Sequence, residues 1–332
     1  MGGGPVGYVT VKIDQLRRIG VQALVNNGLS EEEASYTFED YLEAELRGRQ
    51  SHGLSFIKSL FTRLETRGRY EVVRFENSYL HIQGNSDLGH VVARKAIDMA
   101  LEKLPVSKSI TIGISDVYRF NSTGLIAKYA AEKGAIAIVS AYGGNLVMAP
   151  VGALEKVVNN TPLGIAIPYT DPMFLLDMSM STKAWGHITL ARKNGEEEVP
   201  SDWGTDADGI PTTEPAEIKT LTPFGKYKGF ALALALEILS GALVRVPIGN
   251  LGEDARRGIV IHLIDPTIFG HTVESFAEQV KVFLKGIQEV PTNDPSVEIF
   301  YPGQRSYESY KRQIEANEME IHESILRFLQ NQ

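Results

Sequence analysis

Apolar positions near the start of the chain recur at three- and four-residue steps, the spacing of one face of a helix. Ser30 followed three residues later by Glu33 spells a capping box, and Tyr36, Phe38, Tyr41, Leu42 and Leu46 continue the period. A helix is predicted from Ser30 to Arg47, ended by Gly48, which can take the positive φ of a helix C-terminus. Leu54, Ile57, Leu60, Phe61 and Leu64 repeat the pattern, so Arg47-Gly-Arg-Gln-Ser-His-Gly53 becomes a short polar loop anchored at both ends by packed helices.

The period then changes. Tyr70 to Phe75 and Ser78 to Gln83 flank Glu76-Asn77 as a hairpin, and a helix follows from about Gly89 to Leu104. Strand Ile110–Ser115, helix Thr123–Lys133 and strand Ala135–Val139 give a β-α-β rhythm. Leu163–Ile167, Phe174–Met178 and Gly258–Asp265 add apolar strands of a mostly buried sheet. Lys228 to Leu243 is apolar nearly all round, which predicts burial on several sides, and it is too short to span a bilayer. Asn194 to Thr222, with Pro200, Gly204, Gly209, Pro211 and Pro215, reads as a long surface excursion, and Asp206-Ala-Asp-Gly209 within it as a tight turn rather than a calcium loop. Ser306 to Leu329, striped by Tyr310, Ile314, Ile321, Ile325 and Phe328, predicts one terminal helix. The expected organisation is an α/β chain with a mixed central sheet in 71–303 and a helical region formed by 8–70 with 304–332, which carries the histidine loop.

Composition narrows the function classes. The 332 residues, 43% hydrophobic and 22% charged, are ordinary for a folded globular chain. A net charge of −8 offers no positive field for phosphates along a duplex, so no nucleic acid partner is expected. The absence of cysteine removes disulfides, thiolate nucleophiles and Cys-ligated zinc, and no histidine pair has metal-ligand spacing, so no metal is expected. With no leader pattern and no membrane-spanning run, the expected address is cytoplasmic, with no membrane partner. Gly2, Gly4 and Gly7 spell a dinucleotide-type glycine spacing, but no strand precedes it and Pro5 interrupts it, so it is rejected as a fingerprint.

Three places carry candidate chemistry. His52, in the anchored loop, can exchange a proton near neutral pH because imidazole has an ordinary pKa of about 6.5; the plainer alternative is a helix-linking histidine bonded to carbonyls. Leu175-Leu-Asp-Met-Ser-Met-Ser181 is a strand running into a turn of hydroxyls and amides, suited to phosphates, or else to capping the next helix. Lys226 and Lys228 stand at the positive end of the apolar helix, where a cation is disfavoured unless an anion joins it. Gly303, in the turn Phe300–Arg305, has the freedom to let a ligand approach the backbone.

Taken in order, Arg47-Gly48 with Ser51-His-Gly53, Asn160-Thr-Pro-Leu-Gly-Ile-Ala-Ile-Pro168, Leu176-Asp-Met-Ser179, Asp206–Thr213, Lys228-Gly229 and Tyr301-Pro-Gly303 resemble the type 2 malate/L-lactate dehydrogenase family across almost the whole chain. The resemblance implies an NAD- or NADP-dependent oxidoreductase of 2-oxo and 2-hydroxy acids, built on a dinucleotide-binding fold distinct from the Rossmann type, and commonly a homodimer. It gives His52 the role of proton donor or acceptor, with Asp177 expected to fix its tautomer and Ser122 in the pocket. Leu175, Leu176, Asp177, Met178, Ser179, Met180, Ser181, Tyr227, Lys228, Gly303, Gln304 and Arg305 would hold the cofactor, and Arg47, Arg49, Asn160 and Thr161 the substrate.

Two positions depart from the family pattern. Phe56 stands where many members have an arginine suited to a substrate carboxylate, and Ser122 where many have a histidine. These changes leave open a relocated anion grip through Arg47, Arg49, Arg119 or Lys58, another substrate, or lost turnover. Malate/oxaloacetate is the expected pair. A ureidoglycolate, diketogulonate or cyclic imino acid oxidoreductase is the enzymatic alternative, and a dinucleotide-binding protein without turnover the alternative of another class.

Overall fold

Residues 7–249 and 256–332 are described by the structure, a computed structural model, so residues 1–6 of the glycine spacing lie outside the described residues. The chain runs through β1 (Tyr8–Lys12), α1 (Ile13–Asn26), α2 (Glu31–Leu46), α3 (Lys58–Leu64), β2 (Glu71–Phe75), β3 (Tyr79–Gln83) and α4 (Gly89–Ser107). It continues through β4 (Ser109–Val117), α5 (Thr123–Glu132), β5 (Ile136–Tyr142), β6 (Leu163–Ile167), β7 (Phe174–Met178), α6 (Trp185–Asn194), β8 (Gly204–Thr205), β9 (Thr220–Leu221) and α7 (Tyr227–Ser240). β10 (Arg257–Ile264), α8 (Val273–Gln288), α9 (Gln304–Ala316), β11 (Glu318–His322) and α10 (Glu323–Gln330) follow. Two compact units result, one from residues up to Gly68 with Asp171–Phe174 and Val280–Gln332, the other from Arg69–Thr170 and Leu175–Gln279.

In the first unit the capping box forms as read: Ser30 Oγ accepts from the Glu33 N–H, and Glu33 Oε2 accepts from the Ser30 N–H. The apolar stripe of α2 is fully buried at Phe38, Tyr41, Leu42 and Leu46. Gly20 lets α1 approach it, since a Cβ there would lie 1.9 Å from the Phe38 ring.

The single terminal helix expected over Ser306–Leu329 is corrected to helix, strand, helix. Asn317 takes a left-handed conformation (φ 50°), and its carbonyl and Oδ1 accept the N–H groups of Ile13 and Asp14. α9 therefore stops, and β11 pairs antiparallel with β1 from Glu318↔Lys12 to His322↔Tyr8. Met319 and Ile321 point inward between exposed Glu318, Glu320 and His322, a short two-residue alternation hidden inside a helical stripe.

The second unit is built on a seven-stranded sheet of order β2-β3-β4-β10-β5-β6-β7. β3 and β4 are parallel, while β10 lies antiparallel between β4 and β5. The β-α-β rhythm thus yields a mixed sheet, because a strand from far along the chain separates the two that the rhythm connects. Ile110, Ile112, Ile114, Ala137, Val139, Ile259, Ile261 and Leu263 are fully buried on the face toward α4 and α5.

Two further expectations are corrected in this unit. The excursion from Asn194 to Thr222 is tied down by buried Val199, Ile218 and Leu221, which join Met180 and Ile188 in one apolar cluster, and by pairing of β8 with β9. Its Asp206 turn is as read, with Oδ1 accepting from the N–H groups of Asp208 and Ile210. α7 is buried on one face only, at Gly229, Ala233, Leu236, Glu237 and Ser240; Leu232, Leu234, Ile238 and Leu239 are exposed in the single chain.

Candidate functional site

His52 lies in a 3-10 turn, Gln50–His52, followed by another at Leu54–Phe56, rather than in an irregular loop. The turn is pinned from α2, where Glu45 Oε2 accepts the Leu54 N–H at 2.8 Å. Gly53 permits this approach, since a Cβ there would fall 2.0 Å from the same oxygen. Burial pushes the Glu45 carboxyl above its ordinary value, and the Leu54 N–H partly offsets that. The His52 ring is half-buried, and Ser51 Oγ lies 2.9 Å from its Nδ1. A turn fixed by a buried carboxylate and a ring nitrogen held by a hydroxyl make an oriented imidazole.

The two nearby arginines differ. Arg47 is buried and donates from Nε to Glu43 Oε1 at 2.7 Å, reaches Ser306 Oγ, and stacks over Tyr307 and Tyr310. It joins α2 to α9. The Arg49 guanidinium is brought down to about 10 by burial first and by the Arg47 charge second, with Glu43 acting the other way. A desolvated cation beside a like charge gains from an anionic ligand.

The second unit holds the other cluster. Ser122 caps α5, accepting the Leu125 N–H, and donates to Asp177 Oδ2 at 2.7 Å. Thr123 Oγ1 donates to Asp177 Oδ1 at 3.2 Å. Asp177 thus braces the start of α5, and the close approach needs Gly124, where a Cβ would meet the Asp177 side chain at 2.4 Å. Beyond β7, Ser179 Oγ lies 3.1 Å from Ser181 Oγ, which donates to the Lys183 carbonyl. Tyr227 and Lys228 are exposed in the first turn of α7, and Lys228 makes no ion pair among the described residues.

Several expected contacts are supporting structure. Leu175 and Met180 are core residues, whereas Leu176 and Met178 are half-buried. Thr161 is fully buried with its hydroxyl turned to the Asn159 carbonyl, and the Asn160 carbonyl accepts the Met180 N–H. Gly303 (φ 96°) starts α9, Gln304 Oε1 accepts from Gln288, and Arg305 stacks on Phe300. Glu45, Ser51 and Glu43 were not singled out from sequence. Their signal is an acidic pair, Glu43 and Glu45, inside the apolar run Tyr41–Leu46.

Comparison with known proteins gives a consistent result. The model of the malate/L-lactate dehydrogenase family matches residues 11–330. A malate/(S)-sulfolactate dehydrogenase of Methanothermus fervidus is 29% identical over 90% of this chain and 90% of its own length. An NAD(+) ureidoglycolate dehydrogenase of Escherichia coli O157:H7 is 25% identical over 95% and 93%. A (2R)-3-sulfolactate dehydrogenase (NADP(+)) of Chromohalobacter salexigens is 26% identical over 84% and 87%. Among solved structures, the sulfolactate dehydrogenase of Methanocaldococcus jannaschii superposes with a TM-score of 0.86 at 26% identity, covering 97% and 95%. A Δ1-piperideine-2-carboxylate reductase of Pseudomonas syringae shares the fold at a TM-score of 0.85 and 22% identity, covering 97% and 99%.

Proposed function

Because the chain belongs to the malate/L-lactate dehydrogenase family and is an NAD(P)-dependent oxidoreductase of CH–OH groups, we propose that its substrates are a small 2-oxo/2-hydroxy acid pair, malate/oxaloacetate first among them. The observation that carries this reading is the oriented imidazole of His52, fixed by Ser51 and by the Glu45-pinned turn. The bound nicotinamide supplies or accepts the hydride. His52 gives the substrate oxygen its proton in reduction and takes it back in oxidation. Ser122, polarised by Asp177, offers a neutral hydroxyl in place of a titratable ring. Arg49, desolvated and next to Arg47, takes the substrate carboxylate in the absence of an arginine at position 56. The hydroxyl turn Ser179–Ser181 and exposed Lys228 suit phosphate oxygens of a cofactor held by a non-Rossmann fold.

A ureido, diketo or cyclic imino acid substrate is the second reading, favoured by Ser122, a neutral hydroxyl where many members of the family have an imidazole. The deciding experiment follows loss of NADH or NADPH absorbance with oxaloacetate, sulfopyruvate, pyruvate, diketogulonate and cyclic imines in turn, and formation of NADH with ureidoglycolate. Turnover of oxaloacetate above the rest sustains the first reading, and preference for an imine or a ureido acid replaces it. Tight cofactor binding without turnover of any acid makes the chain a dinucleotide-binding protein. We also infer a homodimer, on the strength of the exposed apolar face of α7.

A further inference from the structure

Asn121 precedes Ser122, between a half-strand bridge and the start of α5, in a left-handed conformation at φ 55°. Asparagine tolerates that conformation better than most residues, yet glycine would do so with less strain, so backbone geometry alone does not account for an amide here. The side chain is 6% exposed, and neither Nδ2 nor Oδ1 has a hydrogen-bond partner. Both of its polar atoms, one a donor and one an acceptor, are buried without a partner. Buried amides are almost always satisfied, and exceptions mark places where something else completes the bonding.

The missing partner has a defined chemistry. A primary amide presents N–H and C=O side by side, so a group satisfying both must offer an acceptor and a donor together. Carboxylates and sulfonates offer acceptors only and would leave Oδ1 unpaired. A carboxamide matches in full. Ser122 is the next residue, and its hydroxyl is aligned by Asp177 at 2.7 Å, which sets Asn121 beside the group proposed to face the reacting centre.

We propose that Asn121 holds the carboxamide of the nicotinamide ring, donating from Nδ2 to its carbonyl and accepting at Oδ1 from its amide N–H. This rests on the nicotinamide-dependent reading above. Asn121 then sets which way the ring faces. The amide is left unsatisfied in the free chain and is satisfied on binding, so strain held at the turn is offset by the cofactor.

The test compares binding of NADH and NADPH with that of their reduced 3-acetylpyridine analogues, in which a methyl replaces the amide NH2, by titration of protein fluorescence. Asn121→Gly keeps the left-handed turn and removes the amide, and Asn121→Asp keeps the shape while replacing the donor. The wild type is expected to prefer the nicotinamide cofactor over its analogue, and Asn121→Gly to bind the cofactor roughly ten- to a hundredfold more weakly with that preference abolished. Asn121→Asp, which keeps an acceptor at Oδ1 and loses the Nδ2 donor, is expected to bind both cofactor and analogue more weakly while keeping the preference. Full preference in Asn121→Gly, or wild-type binding of both cofactor and analogue by Asn121→Asp, overturns the proposal. So does unchanged cofactor binding with weakened use of a ureido acid alone, which would assign the amide to substrate. If the wild type binds neither dinucleotide, the reading beneath the proposal falls, and the proposal with it.

Discussion

At the scale of single residues, His52 was legible because a histidine in a polar turn between two apolar stripes has few structural duties to perform. Its surroundings were not legible. Glu45, which pins the turn, lies nine positions before Leu54, and Arg47 is held by Ser306 and the tyrosines of α9, contacts across more than 250 positions that no local pattern announces. His52→Ala is expected to lower kcat by roughly 10²–10⁴ with cofactor affinity intact, since only proton transfer is removed; steady-state rates with a fluorescence titration of the cofactor check this, and an unchanged kcat takes His52 out of the mechanism. Arg49→Ala is expected to raise KM for the acid by about ten- to a hundredfold, with kcat and cofactor binding changed far less, as for loss of one charge-assisted contact. An unaltered KM moves the carboxylate to another cation, with Arg119 and Lys58 next to be replaced.

At the scale of elements, most helices and strands that obey one period over a long stretch emerged where expected, from α2 to β10, because they bury the face their period defines; β2, exposed along most of its length, is held by pairing with β3 instead. The C-terminal segment departed because β11 needs β1 as its partner, at a separation of some 300 positions, and a five-residue alternation is outweighed locally by helical residues on both sides. β10, paired on both sides with strands distant in sequence, also carries a titratable group. His262 sits in it with Thr111 Oγ1 3.0 Å from Nδ1 and Ser109 Oγ 3.3 Å from Nε2, both hydroxyls on β4. Burial lowers its pKa below 6.5, so the folded state binds the proton less readily than the unfolded chain. Stability from this group is complete above about pH 6.5 and is lost as pH falls through the depressed folded value. Urea unfolding between pH 5 and 8 is expected to show that loss in the wild type and less of it in His262→Gln, whose amide keeps both hydroxyl partners. An identical loss in the variant assigns it to two other histidines held low, His81 by burial and then Arg245, and His187 by burial and then Lys183.

At the scale of the whole molecule, the proposed homodimer follows from what the second unit leaves uncovered. The C-terminal end of α7 and the turn Ala242–Val244 lie against one end of the sheet, where Gly113 and Gly258 make room for Val244. Beside them the same sheet face stays open, with Ile138 exposed and Ile136, Ile165, Val260 and Ile264 half-buried, and α7 turns Leu232, Leu234, Ile238, Leu239 and Leu243 outward. A helical ridge adjoining a vacant strip of sheet is self-complementary: under a two-fold, the ridge of each copy lies on the open sheet of the other. The ridge from Leu232 to Leu243 measures about 18 by 10 Å and the strip about 19 by 16 Å, together on the order of 500 Å² in projection. Side-chain relief enlarges that toward the roughly 800 Å² per partner of a stable interface, and apolar patches of this size often mark an interaction surface. Leu234→Glu combined with Ile238→Glu places two charges on the ridge while leaving the buried face of α7 intact. Sedimentation is expected to show a dimer for the wild type and the monomer for the double variant, with the far-ultraviolet spectrum unchanged. A variant that remains dimeric moves the interface elsewhere, and a monomeric wild type removes the homodimer from the proposal.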